Sequence, residues 1–332
     1  MATLLRPHEA AGIPEAAWDD VQGDILGGLP AAVQAFLFLE LSDVRAFKAA
    51  LRRSLAKRAT SARTARLWSM RPGYADGSNS VGLNIGFTAL GCAKLAGDAV
   101  PPDPAFRAGA YERARAVGDP EPALNWLPQV YGSPVDAVVV IAGGTLKAVD
   151  AEWRMLQNVL TGSARVCYRE VAERRPAAQC ERDHFGHATG SGAGSSEGGR
   201  SLVFLEAPDD AAPFPWMRHG TYAVVRRIEQ LVPEYEERSK AIPFRDVDGE
   251  LWRASGLAWR AIPFGPEVSD LERSEGKTTA DRGRMFVSYQ TSLADFERLQ
   301  RRCVSPNSYA INSGSAYVFV PSISALAGRL AH

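Results

Sequence analysis

The chain has 332 residues, 45% hydrophobic and 23% charged, long enough to build two packed subdomains around substantial cores. Lysine plus arginine equals aspartate plus glutamate at 38 each. This zero net charge argues against nucleic-acid and membrane-surface partners, both of which recruit proteins through basic excess. Met1–Pro14 holds His8 and Glu9 and lacks the apolar centre of a signal peptide, and no run is long enough to span a bilayer, so a cytoplasmic protein is expected. The four cysteines, Cys92, Cys167, Cys180 and Cys303, lie far apart without a C-x-x-C pair and read as reduced thiols.

Along the chain, Ala35–Leu41 is a nearly continuous apolar run suited to a central strand, and Ser42-Asp43 can cap a helix carrying Val44, Phe47 and Leu51 on one face. Val81–Phe87 alternates as a strand, and Thr88 can cap a helix through Leu95. Val135–Ala142 is a further strand, followed by a helix around Trp153–Leu160. Strand, helix, strand, strand, helix and strand is the order of a ferredoxin-like unit. The second half repeats it: strands at Thr221–Ile228 and Arg284–Tyr289, a helix after Ser292 with Leu293, Phe296 and Leu299 on one face, and a strand at Ala316–Val320. Gly190–Gly199 is too glycine-rich for a regular element. The expected units are therefore 1–190 and 191–332, an α+β fold of two ferredoxin-like halves with four-stranded antiparallel sheets.

Several motifs recur in a fixed order: Val21-Gln22-Gly23-Asp24-Ile25-Leu26, Thr88-Ala89-Leu90-Gly91, Phe106-Arg107-Ala108-Gly109 with Val117-Gly118-Asp119, Gly220–Gln230, Ile262-Pro263-Phe264-Gly265-Pro266, and Phe296 to Gln300. Each is weak alone. Together they resemble the dye-decolorizing (DyP-type) haem peroxidases, within the dimeric α+β barrel superfamily. That resemblance implies haem wedged between the second sheet and its helices.

Haem peroxidases need an axial imidazole, a distal acid/base and a distal cation. The resemblance puts the distal acid in G-x-x-D-G, which here reads Gly186-His187-Ala188-Thr189-Gly190. Thr189 is too weak an acid for that role. No histidine occurs between His219 and His332, and the segment Leu231–Ala258 that carries the proximal ligand in the family is shortened. The place of the distal arginine falls within Ala258-Trp259-Arg260-Ala261, either on Trp259, with Arg260 one residue out of register, or on Arg260 itself.

These departures point to a repurposed protein that binds, and transforms, an apolar or aromatic small molecule in the former haem cavity, with no haem and no metal. A haem enzyme with a substitute axial ligand (His219, Tyr235 or Cys303) and a non-catalytic pseudo-peroxidase are the alternatives. The candidate catalytic residues are His187, His219, Arg226 and Thr189; the candidate cofactor-binding residues are Arg260, Trp259 and Phe264. Each has a plainer reading beside it. Asp183-His184-Phe185-Gly186-His187 offers metal-type ligands but more simply forms polar surface. His219, where the family usually has asparagine, more simply serves a structural hydrogen bond. Trp252 and Trp259 can merely fill volume. One of Arg226 and Arg227 should face the interior, either to bind a carboxylate or to form an internal ion pair.

Overall fold

The computed structural model describes residues 13–26, 28–29, 32–71, 80–119, 122–131, 134–189, 202–205, 214–240, 251, 257–303 and 309–332. The expected Gly190–Gly199 boundary loop and Trp252 lie outside them. The first half runs α1 (Gly23–Leu26), β1 (Val33–Leu41), α2 (Val44–Ala50), β2 (Val81–Phe87), α3 (Ala89–Ala96), α4 (Pro104–Arg113), β3 (Ala137–Gly143), α5 (Leu146–Leu160) and β4 (Ala164–Glu173). The second runs β5 (Thr221–Gln230), α6 (Val232–Ser239), β6 (Ala258–Phe264), α7 (Asp270–Glu275), β7 (Gly283–Gln290), α8 (Leu293–Cys303), β8 (Ala310–Val320) and α9 (Ile323–Ala327).

Both halves use one plan. The strand order is β4-β1-β3-β2 then β8-β5-β7-β6, so counted within each half it is fourth, first, third, second, and every pairing is antiparallel. The two ferredoxin-like halves expected from the sequence are therefore present. The expected caps form as well: Asp43 accepts from Ala46 N–H and Thr88 from Gly91 N–H.

The sheets do not stay separate. Phe87 of β2 pairs with Phe319 of β8, and the outer strands β4 and β6 pack together on the other side, so the eight strands enclose a barrel. β6, legible in the sequence only as a proline turn, pairs with β7 alone. An edge position tolerates Pro263, which has no N–H to give a second neighbour.

Strand alternation then sorts the apolar residues into two cores. Phe36, Phe38, Val138, Val140, Val225, Met285, Val287 and Val318 fill the barrel. Leu37, Leu39, Ile85, Val139, Val224, Phe286 and Tyr317 face outward under the helices, with Phe47, Leu156 and Phe296. Because both faces are covered, β1 reads as a continuous apolar run.

The Val21–Leu26 motif secures the barrel seam. Gln22, fully buried, donates to the carbonyls of Ile85 (2.9 Å) and Pro321 (2.8 Å) and accepts from Ile85 N–H (2.8 Å). It thereby satisfies strand-edge groups where β2 and β8 share a single pair. Asp24 accepts from Leu29 N–H, from Arg260 of β6 (3.0 Å) and from the Tyr289 hydroxyl of β7 (2.5 Å), tying the amino-terminal motif to the second sheet. Burial raises the Tyr289 hydroxyl well above the usual tyrosine range, and the adjacent Asp24 charge adds to it.

Candidate functional site

The outward face of the second sheet carries most of the candidate chemistry. On β5, Val224 and Arg226 point toward the helices while Val225 and Arg227 point into the barrel. The Arg226 guanidinium lies over the Phe296 ring of α8 at 6.0 Å and donates to Asp119 Oδ1 (2.5 Å). Asn312 Nδ2 donates to the other oxygen of Asp119 (2.7 Å). A parallel pair joins Arg113 of α4 to Glu297 of α8, with the Tyr317 hydroxyl donating to the same carboxylate. Arg227 makes its own set inside the barrel, with Glu170, Glu229, Asp281 and the Tyr168 hydroxyl, and lies 4.3 Å from the Phe264 ring centre. Both arginines therefore form internal ion pairs.

The three cofactor-binding candidates divide between faces. Trp259 faces outward, stacked on Phe286 at 6.1 Å and 21°. Arg260 turns inward to Asp24, and Phe264 lies inside under Arg227. Period-2 alternation forces the split, because neighbouring strand residues point to opposite faces. Arg260 accordingly does not share a face with Trp259.

The loop from Asp183 to Thr189 docks where β5 ends and β7 begins. Buried Asp183 accepts from the N–H groups of Phe185 and His187 (both 3.0 Å), from Gln230 Nε2 (2.9 Å) and from Arg284 Nη1 (3.0 Å). Gly186 takes the left-handed φ of 85° that closes the turn. His184 Nε2 donates to the Phe264 carbonyl (2.9 Å), and burial pushes this imidazole below its ordinary range. His187 Nε2 lies 3.0 Å from the Tyr235 hydroxyl, and Phe185 stacks on Tyr235 at 4.3 Å. The two histidines thus engage different partners, and among the described residues no group of three His, Cys, Asp or Glu could hold a metal. Half-buried Thr189 closes the loop through its N–H to the Glu181 carbonyl (2.8 Å).

His219 stands at the opposite end of β5, a ten-residue strand of roughly 33 Å. Its backbone is left-handed at φ 61°, a region that asparagine enters more readily than most residues. Nδ1 meets Asp20 Oδ2 at 2.8 Å, and Asp20 also accepts from the N–H and hydroxyl of Ser324. His219 therefore latches the amino-terminal segment and α9 onto the start of β5. Gly220 follows because a Cβ there would stand 2.5 Å from Phe319 Cζ.

Comparison with known proteins fits this geometry. A family model, the DyP dimeric alpha+beta barrel domain, matches residues 20–176. Dye-decolorizing peroxidase msp1 of Mycetinis scorodonius is 29% identical over 387 residues, spanning 87% of this chain and 74% of its own.

The first half of the chain carries a DyP-type barrel domain.

Solved structures agree on the fold. The crystal structure of the DyP-type peroxidase from Auricularia auricula-judae has a TM-score of 0.80 at 20% identity, covering 95% of this chain and 99% of that one. A dye-decolorizing peroxidase engineered in its heme pocket gives 0.79 at 20% identity over 94% and 99%. Among the described residues, the histidine and arginine candidates at this site are held by protein partners. The chain has no histidine from Gly220 to Ala331. His219 is turned to Asp20, Arg226 is committed to Asp119, and of the two residues at the expected distal arginine place Trp259 stacks on Phe286 while Arg260 pairs with Asp24.

Sequence reasoning missed Asp119, Ser288 and Gln290, and read Asp183 only as a metal-type ligand or polar surface. Asp119 sat in a quoted motif without a role. In β7 the alternation was visible: Met285, Val287 and Tyr289 face the barrel, leaving Arg284, Phe286, Ser288 and Gln290 on the other side.

Proposed function

We propose that this DyP-type protein binds an apolar or aromatic small molecule against the outward face of its second sheet and acts on it in the cytoplasm without conventional peroxidase chemistry. The observation that carries this reading is the joint departure at the working positions: Thr189 for the acid, Trp259 or the Asp24-paired Arg260 for the cation, and no histidine in the segment that carries the proximal ligand. The stacked Trp259 and Phe286 rings make this face aromatic in character. The His187–Tyr235 pair, 3.0 Å apart between the docked loop and α6, is the proton carrier this reading uses. The purified protein is expected to be colourless and to leave dyes unoxidised by hydrogen peroxide.

A second reading, a haem peroxidase with a substitute axial ligand, draws on the DyP-type barrel domain and on the dye-decolorizing peroxidases that match most of the chain. Haem titration separates the two. A tight stoichiometric Soret band that disappears in a His219→Ala variant would establish the second reading and remove the first.

A further inference from the structure

Three buried polar groups on the outward face of the second sheet are not used by the networks described above. Ser288 is fully buried and Gln290 is 2% exposed. Among the described residues, Ser288 Oγ and both side-chain amide atoms of Gln290 have no hydrogen-bond partner, and neither does Nε of Arg226. Ser288 lies between Val224 of β5 and Trp259 of β6, and Gln290 lies beside Tyr222. The three form a polar column on β5 and β7, with Ser288 and Gln290 about 7 Å apart along their strand.

The fold does not need this column. In the first half, β3 holds the position that β7 holds in the second, and its outward residues Val139 and Ile141 pack into the apolar core. Burying an amide with neither atom bonded is strongly unfavourable, whereas an apolar residue of similar shape would be neutral or better. Such a group in a native structure therefore calls for a partner.

We infer that Gln290 and Ser288 recognise the amide or lactam edge of a flat aromatic ligand. Gln290 offers one acceptor and two donors, the complement of an amide edge. Asp119 neutralises the Arg226 charge, so the column favours a neutral polar group over an anion. Trp259 of β6 pairs across from Ser288 and stacks on Phe286, so the surroundings of the column are aromatic. The inference rests on the aromatic-binding reading above and adds the chemical class of the ligand.

Calorimetric titration of the full-length protein with benzamide and with toluene tests it. Benzamide should bind about tenfold more tightly than toluene, since a site built around buried polar groups rejects the analogue that leaves them unbonded. Gln290→Leu should bring the ratio to about one through loss of benzamide affinity, and Ser288→Ala should reduce the ratio by a smaller factor. Equal affinities in the unaltered protein, or a preference that survives Gln290→Leu, would overturn the inference and leave the aromatic-binding reading standing. If neither compound binds, the aromatic-binding reading fails and the inference fails with it.

Discussion

The two halves of the barrel share strand order and handling of their inner faces, yet their outward faces differ. Under α2 and α5 the first sheet presents Leu37, Leu39, Leu83, Ile85, Val139 and Ile141, all in the apolar core. The second sheet presents Arg226, Arg284, Ser288 and Gln290 among Val224, Phe286 and Trp259. One topology therefore closes with or without buried polar groups. What the second face carries beyond apolar packing is not demanded by the architecture, which is the physical ground for placing function there.

The largest expected effect that sharpens this contrast lies in the buried pair of the second face. Asp119→Ala leaves the buried Arg226 charge without its carboxylate and should cost about 3–5 kcal/mol in chemical denaturation. The double variant Arg226→Met with Asp119→Leu should recover most of that loss. If Asp119→Ala were neutral, the pair would be dispensable and the two faces energetically alike.

Next comes a direct exchange of face chemistry. Ile141→Ala in the first half should destabilise by about 2–5 kcal/mol through the cavity it leaves. Gln290→Leu at the corresponding sheet layer of the second half should leave the unfolding midpoint unchanged or raise it. A large loss in Gln290→Leu would mean that its amide serves packing after all.

Smaller again is a pH dependence confined to the docked loop. His184 is held neutral by burial, and the nearby Arg175 and Arg282 charges reinforce this against the Phe264 carbonyl and Glu267. Its folded pKa lies below the ordinary 6.5, so the unfolded chain takes up the proton first. Stability should fall as pH drops from that value toward the folded one. In His184→Gln, which keeps a donor for the Phe264 carbonyl, this contribution should vanish from the pH dependence of the denaturation midpoint.

The smallest effect concerns the latch at the other end of β5. His219→Asn should stay within about 0.5 kcal/mol, because asparagine accepts the left-handed backbone and can still donate to Asp20. His219→Ala, with neither property, should cost about 1–2 kcal/mol. Thermal unfolding of the two variants side by side checks both.

Much of the fold was legible because its signals are local. Continuous apolar runs, alternation in Val81–Phe87 and capping residues at Asp43 and Thr88 each report on a few neighbouring positions, and together they yielded both ferredoxin-like halves. β6 was harder to see because Pro263 reads as a turn until the strand is known to lie at an edge. The Val21–Leu26 motif signalled the resemblance while hiding its job, since Gln22 and Asp24 act on Ile85, Pro321, Arg260 and Tyr289, far away in sequence.

By itself the sequence determined the resemblance to DyP-type proteins, the duplicated α+β plan and the alternation that sends Arg226 and Arg227 to opposite faces. Only tertiary structure decided what those side chains meet. It gave Arg226 to Asp119 and His219 to Asp20, separated His187 from His219 by the length of β5, and set Ser288 and Gln290 on a buried face. Periodicity fixes which way a side chain points from its own strand, but most of its partners come from segments distant in the chain, and only the closed barrel brings those together.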